Sequence, residues 1–296
     1  SSSNDNISVD GINNITFNAL ADGPYSNCTI AVTDNASNTS DNLSVSSFTI
    51  DTVKPVLEEV TAVTTPTNVT TPAYSFSSTK AGTNSYGGSC GSSSTSATSS
   101  GLDNVTIILT QPDNSTALSA GLYDDCSITV TDSAGNTSTA LEVEVFIVDI
   151  TRPTVTDNAT SPTNNQSSVS VSDNISVTFL ESMDNTSVTT NTSNTTCSGS
   201  LQLSSDSFSS CVQMGSSPSS SDNLTFTVTP SPKMFYSTTY KIRVTTAVKD
   251  SAGNSLAIDN DTNEFGTSIT FPTTAGSAHS CYILDNGSVK CWGKNN

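Results

Sequence analysis

The 296-residue chain reads as all-β, a row of tandem sandwiches followed by one extra hairpin, and three observations carry that reading. A turn recurs three times, as Val32-Thr33-Asp34-Asn35-Ala36-Ser37-Asn38, Val130-Thr131-Asp132-Ser133-Ala134-Gly135-Asn136 and Val248-Lys249-Asp250-Ser251-Ala252-Gly253-Asn254. In each, an apolar alternating strand stops at an Asp whose carboxylate can bond backbone two residues on. A Gly or small residue with an Asn follows where positive φ is wanted, so Asp34, Asp132 and Asp250 mark hairpin turns. The spacing repeats too: Cys28 to Cys126, Asp34 to Asp132 and Asp51 to Asp149 share one offset of about a hundred residues, the size of one sandwich domain. Finally, Val, Ile and Phe alternate with Ser and Thr in short runs, the period of a half-buried strand. Apolar residues make up 33 % of the chain, low for one large core and suited to several small ones.

Composition excludes some functions. With 27 acidic against 9 basic residues the net charge is −18, so the phosphate-neutralising surface that nucleic acid requires is missing. Acidity of this kind favours solubility and, where carboxylates cluster, divalent cations. Seven cysteines without a CxxC pair read as disulfides, hence an oxidising compartment outside the cell or on its surface. No stretch is apolar enough to span a membrane and no signal peptide opens the chain. The start Ser1-Ser2-Ser3-Asn4 reads like the middle of something, and the chain reads as a fragment at both ends.

Taken in order, residues 1–53 read as the C-terminal half of a sandwich, with Cys28, Ile30 and Val32 alternating toward one core. Residues 54–152 read as a complete sandwich with strands at 57–63, 73–77, 83–86, 105–109, 126–130 and 141–148. Between Gly87 and Gly101 lies a Gly/Ser/Thr-rich loop, and pairing its Cys90 with Cys126 would close a loop worth about 4 kcal/mol of chain entropy. The linkers around Asp51 and Asp149 each run on to a Pro, Pro55 and Pro153, which sets an extended entry to the next strand. Residues 153–274 read as a variant sandwich in which Cys197 and Cys211 tie off an inserted excursion. In residues 275–296 Asn286-Gly287 sits between two short apolar strands, a type I′ hairpin signal, with Cys281 and Cys291 placed for a cross-strand bond.

These motifs carry two resemblances. Gly-x-Tyr-x-x-Cys followed by Val-Thr-Asp-x-Ala-x-Asn, with the Asp-x-x-x-Pro linkers, resembles the bacterial Ig-like repeats of large surface proteins. The third unit, with Val177 to Val188 reading Val-Thr-Phe-x-Glu-x-Met-Asp-x-x-Ser-Val and then Tyr240-x-Ile242-x-Val244, resembles a related bacterial Ig-like domain. The resemblance implies tandem Ig-like β-sandwiches in a row, and an upstream partner for Cys28. The tail, with His279-x-Cys281 and Cys291-Trp292-Gly293, resembles the opening of a regulator of chromosome condensation propeller repeat, which implies the first hairpin of a β-propeller-type repeat.

Chemistry-bearing candidates are few. Gly87-Gly88-Ser89-Cys90-Gly91 spells a nucleophile elbow, but it falls in a polar loop and the sole histidine, His279, lies in another module. Glu181 and Asp184 sit three residues apart in a turn motif, which favours a structural role over glycosidic chemistry. Metal is the most credible chemistry. Asp259-Asn260-Asp261-Thr262-Asn263 opens like a calcium loop, yet Glu264 and Thr270 stand where Gly and a bidentate Glu are needed, which excludes an EF-hand. Asp259, Asp261 and Asn263 remain candidate calcium ligands, as do the linker acids Asp51 and Asp149 joined to turn carboxylates. His279 and Trp292 read as blade-packing residues, and the sequons at Asn104, Asn136 and Asn223 follow from a composition rich in Asn, Ser and Thr.

The expected function is non-enzymatic: a stalk or adhesion segment of a large secreted or cell-surface bacterial protein, presenting a binding module. No cofactor is required, and calcium is the one the acids admit. The partners expected are a protein or glycan ligand engaged through flanking modules, with no nucleic acid and no membrane span. The alternative is a spacer within an extracellular polysaccharide-degrading enzyme.

Overall fold

The computed structural model describes residues 12, 14–97, 103–156, 160–268, 279–283 and 289–293, and every regular element among them is a strand or an isolated bridge. No described helix is long and apolar enough to cross a membrane. The chain opens with β1 (Gly23–Tyr25), β2 (Thr29–Ile30), β3 (Leu43–Ser44) and β4 (Phe48–Ile50). It continues with β5 (Leu57–Thr61), β6 (Ala73–Ser78), β7 (Gly82–Gly87), β8 (Ser96–Ala97), β9 (Asp103–Ile108), β10 (Gly121–Tyr123), β11 (Ser127–Thr131), β12 (Leu141–Glu142) and β13 (Phe146–Val148). Then come β14 (Gln166–Val169), β15 (Ile175–Thr178), β16 (Leu201–Ser204), β17 (Thr225–Val228), β18 (Thr239–Val244), β19 (Asn260–Thr267), β20 (His279–Ile283) and β21 (Val289–Gly293). The chain divides into two compact units. Unit 1 takes Ser1–Val63, Thr71–Leu118 and Tyr123–Val145; unit 2 takes Thr64–Thr70, Ser119–Leu122 and Phe146–Asn296.

In unit 1, β1 pairs with β4 and β2 with β3, all antiparallel. Phe48 of β4 stacks on Tyr25 and on Phe17 at centroid distances of 5.3 and 6.0 Å. Farther along, β5-β6-β9 form one sheet and β12-β11-β7-β8 another. Each buries one face, as period-2 alternation requires: Tyr74 and Phe76 of β6, Val105 and Ile107 of β9, and Ile128 and Val130 of β11 are all buried. On the other face Ser75 and Thr106 share a hydroxyl hydrogen bond of 2.8 Å. The Cys90–Cys126 disulfide fastens the segment after β7 to the start of β11. Cys28 is a free thiol.

The stretch 141–148, expected as one strand, is two. Leu141 and Glu142 pair with β11, whereas Phe146–Val148 pairs with β10. Glu144 and Val145 are exposed in succession between buried Val143 and Phe146, and such a break in alternation lets a chain change sheets. The first repeat makes the same change, β3 pairing with β2 and β4 with β1.

Unit 2 contains the four-stranded sheet β14-β19-β18-β16 and the pair β15-β17. The core includes Val169, Ile175, Val177, Leu203, Phe226, Ile242 and Phe265. Phe179 meets Phe226 edge to face at 5.9 Å, and Tyr240 stacks on Phe265 at 5.8 Å. The segment between Cys197 and Cys211 is bonded at its ends, but it is not the excursion expected. It contains β16, which pairs with β18 from Leu201↔Val244 to Ser204↔Lys241, and all four of its residues are buried. Leu201 and Leu203 supply the apolar alternation that makes it a sheet member. In the terminal hairpin β20 and β21 are antiparallel with Cys281 opposite Cys291. The Asn286-Gly287 turn and the side chains of His279 and Cys281 lie outside the described residues.

Candidate functional site

The three Asp turns close in one way. The carboxylate of Asp34 accepts the backbone N–H of Ala36 and Asn38, and the Asn38 amide, each at 2.9 Å. Asp132 accepts Ala134 N–H at 3.0 Å and Asn136 N–H at 2.9 Å; Asp250 accepts Ala252 N–H at 2.9 Å and Asn254 N–H at 2.8 Å. The fourth position of the turn takes positive φ, at Ser37, Gly135 and Gly253. The Asn38 side-chain amide, then its backbone, hold the Asp34 carboxyl below the usual carboxylate range. The second and third turns also grip a linker. Asn136 Nδ2 donates to the Asp51 carbonyl at 3.0 Å, and Asn254 Nδ2 donates to the Asp149 carbonyl at 2.8 Å. Linker Asp and turn Asp are thereby drawn together within unit 1 and again within unit 2.

In unit 1 a cation joins them. Lys80 Nζ lies 2.8 Å from both carboxylate oxygens of Asp51 and 2.9 Å from Asp132 Oδ2, and it also donates to the Val53 carbonyl. Asp132 is buried. Burial would raise its carboxyl, but the Lys80 ammonium and the Asn136 amide outweigh that and hold it well below the carboxylate range. The Asp51 hydrogen bond, followed by Asp132, raises the ammonium in turn.

In unit 2 an anion takes that position. Asp149, Glu181 and Asp250 place one carboxylate oxygen each within 4.8 Å of one another. Asp250 is 2 % exposed, and none of the three forms an ion pair among the described residues. Desolvation, then the charges of Asp250 and Asp149, push the Glu181 carboxyl up. Sequence reading put Asp51 and Asp149 beside turn carboxylates but missed Lys80 and paired Glu181 with Asp184. Asp184 instead takes the Thr186 N–H and hydroxyl at 2.9 and 2.7 Å and closes its own turn.

The other candidates go to separate partners. Asp259 accepts the Thr246 N–H at 2.8 Å, Asp261 pairs with Arg243 at 3.2 Å, and Asn263 is buried in β19. Ser89 donates to Asp125 at 3.0 Å while Cys90 is disulfide-bonded, so the Gly87–Gly91 stretch holds no free nucleophile. Beside it opens a cavity of about 360 Å³ walled by Asn84, Tyr86, Gly88, Ser92, Pro112 and Asn114. Trp292 is 58 % exposed.

Comparison with known proteins returns two families. Residues 149–273 match the bacterial Ig-like domain, and residues 273–296 match the regulator of chromosome condensation (RCC1) repeat. No curated protein matches the chain. Among solved structures the chain is similar to the N-terminal part of the bacterial S-layer protein SbsC, at 17 % identity with a TM-score of 0.30 over 48 % of this chain. The chain spans 33 % of that structure, and a likeness so distant carries no functional argument. The two family matches fall where the turn and hairpin motifs fall: in this all-β chain residues 149–273 are similar to the bacterial Ig-like domain and residues 273–296 to the RCC1 repeat.

Proposed function

We propose that this chain is a non-enzymatic stalk segment of a bacterial cell-surface or secreted protein, whose sandwiches space a recognition module that includes the RCC1-type repeat. The observation that carries the reading is the repeated grip of a turn asparagine on a linker carbonyl, Asn136 on Asp51 and Asn254 on Asp149. The same linker-to-turn contact made once in each unit is what a chain of repeated structural modules shows. The Cys90–Cys126 and Cys197–Cys211 disulfides and a scaffold rich in Ser and Thr suit an oxidising exterior. No acid, base and nucleophile constellation assembles among the described residues.

Binding of cells, glycan arrays and candidate proteins by the whole chain, and by the chain ending at residue 274, tests the division of labour. Binding that needs residues 275–296 or modules beyond them agrees with a stalk. Equal binding by the shortened chain moves recognition into the sandwiches and ends the spacer reading.

A further inference from the structure

Three segments build the cavity of about 360 Å³ in unit 1. β7 supplies Asn84 and Tyr86, the segment after it Ser92 and Thr95, and the turn after β9 Pro112 and Asn114. Each wall is fixed by bonds of its own. Cys90 is tied to Cys126, and Gly91 exchanges backbone hydrogen bonds of 2.8 and 2.9 Å with Thr110. Ser92 N–H donates to Asn114 Oδ1 at 3.0 Å, and Asp113 closes its turn by accepting the Ser115 and Thr116 N–H at 2.9 and 2.8 Å. A hollow held in this way is formed before anything enters it, which lowers the cost of filling it.

One polar group on the wall is left over. Asn84 is 5 % exposed, and its Oδ1 has no hydrogen-bond partner. Its Nδ2 faces the Tyr86 hydroxyl and the Ser94 carbonyl, each at 3.4 Å. That carbonyl fixes which way the amide points, because reversing it would set oxygen against oxygen. The neighbours offer the Oδ1 nothing: the Tyr86 hydroxyl donates to the Ser94 carbonyl, and the Ser92 N–H goes to Asn114. A buried acceptor without a donor is a cost to folding, so its presence on a cavity wall calls for a donor from outside the chain.

We propose that this cavity binds one neutral hexose ring, with a sugar hydroxyl donating to Asn84 Oδ1. Charge decides against the alternatives. No Asp, Glu, Lys, Arg or His lines the cavity, so a phosphate or carboxylate would enter without a counter-charge and a metal ion without an anionic ligand. The walls are rich in amide, hydroxyl and backbone groups, which an aliphatic chain would leave unpaired. A hexose instead brings several hydroxyls, which can bond the Ser92 and Thr95 hydroxyls as well as Asn84, and C–H faces suited to Tyr86 and Pro112. Size agrees, since 360 Å³ lies at the low end of the range of about 300–1,000 Å³ for small-molecule sites. The site goes beyond the stalk reading and does not rest on it: one ring of about a dozen heavy atoms binds with roughly millimolar strength, too weakly to hold a cell by itself.

The test uses the full chain with the methyl glycosides of glucose, galactose, mannose and N-acetylglucosamine, read in solution by saturation transfer to the sugar and by shifts of backbone amides. At least one glycoside should receive transfer and should shift the amides of Asn84, Ser92 and Asn114, with a dissociation constant of about 1–10 mM. Asn84→Leu removes the acceptor and keeps the size of the side chain, and it should weaken binding at least about tenfold. Thr95→Trp, made at an exposed wall position, should abolish binding by filling the hollow. Both variants are compared at matched exchange protection of Phe76, which lies in the other sheet of unit 1. The site is overturned if no glycoside binds at about 100 mM, ordered water then being the occupant. Wild-type binding by Thr95→Trp places the sugar elsewhere and also overturns it, and wild-type binding by Asn84→Leu overturns the role given to Asn84. Equal shifts of the same amides by inorganic phosphate overturn the assignment to a neutral ring.

Discussion

Removing the Cys90–Cys126 disulfide should cost unit 1 more than any other single covalent change in the chain. The bond closes a separation of 36 residues, against 14 for Cys197–Cys211. On the chain-entropy account these closures are worth about 4 and about 3 kcal/mol respectively. Both Cys90 and Cys126 are buried, so replacing each with Ala also removes packed sulfur and moves the effect in the same direction. Hydrogen exchange reads the loss unit by unit. About 4 kcal/mol corresponds to roughly a thousandfold fall in protection for amides that open only when unit 1 unfolds, those of Phe76 and Val130 among them. Amides of β16 and β18 in unit 2 should not change. A fall of less than tenfold at Phe76 and Val130, or an equal fall in unit 2, would refute the view that this bond sets the stability of unit 1. A larger loss from the Cys197–Cys211 pair would refute the entropic ranking.

Three further outcomes follow from the same structure. Lys80→Gln should lower the urea midpoint of unit 1 in a pH-dependent way. The raised Lys80 contributes stability that is fully present below its unfolded value of 10.5 and is lost as pH climbs through the higher folded value. The depressed Asp132 contributes stability present above 3.8 and lost as pH falls through its lower folded value. The gap between wild type and variant should therefore be widest in the neutral range and close at both ends; a gap independent of pH would exclude the ion pair as its source. Gly135→Ala, strained at φ 89° but with open space around it, should cost about 1 kcal/mol. Gly88→Ala should cost clearly more in the same denaturation assay, because its φ is 73° and a Cβ would fall 1.9 Å from the Asp125 carbonyl oxygen. Leu203→Ala should destabilise unit 2 by about 2–5 kcal/mol, the range for emptying a buried aliphatic site, whereas a tolerated substitution would return the 197–211 segment to the status of an appendage.

What was legible in the sequence was what chemistry fixes locally. An Asp that bonds backbone two residues on, a small residue at positive φ and an Asn beside it state a turn within seven residues, and all three copies close as their letters imply. The strands of β6 and β11 were legible through alternation of Tyr74 with Phe76 and of Ile128 with Val130. β16 was hidden because two leucines between cysteines in a Ser-rich stretch resemble a loop, and only pairing with β18 reveals its burial. The break between β12 and β13 was hidden because Val143, Val145 and Ile147 keep a regular rhythm in letters while the backbone moves from one sheet to another.

The site was half legible for a related reason. Asp51, Asp132, Asp149 and Asp250 stand in recognisable motifs, so their approach was expected. Lys80 stands in none, and Glu181 stands in one that the Lys80 segment does not share: one follows Ser77-Ser78-Thr79, the other Thr178-Phe179-Leu180, and no common letters align them. Main-chain pairing aligns them, since each follows the residue that donates to the linker five positions past its Asp. The backbone at that point builds a socket for positive charge in both units, because the turn needs its Asp and the linker carries another whatever the third residue is. A lysine there supplies the charge from within the chain. A glutamate supplies its opposite, so one side chain sets the sign of the charge that faces the linker and turn carboxylates in each unit.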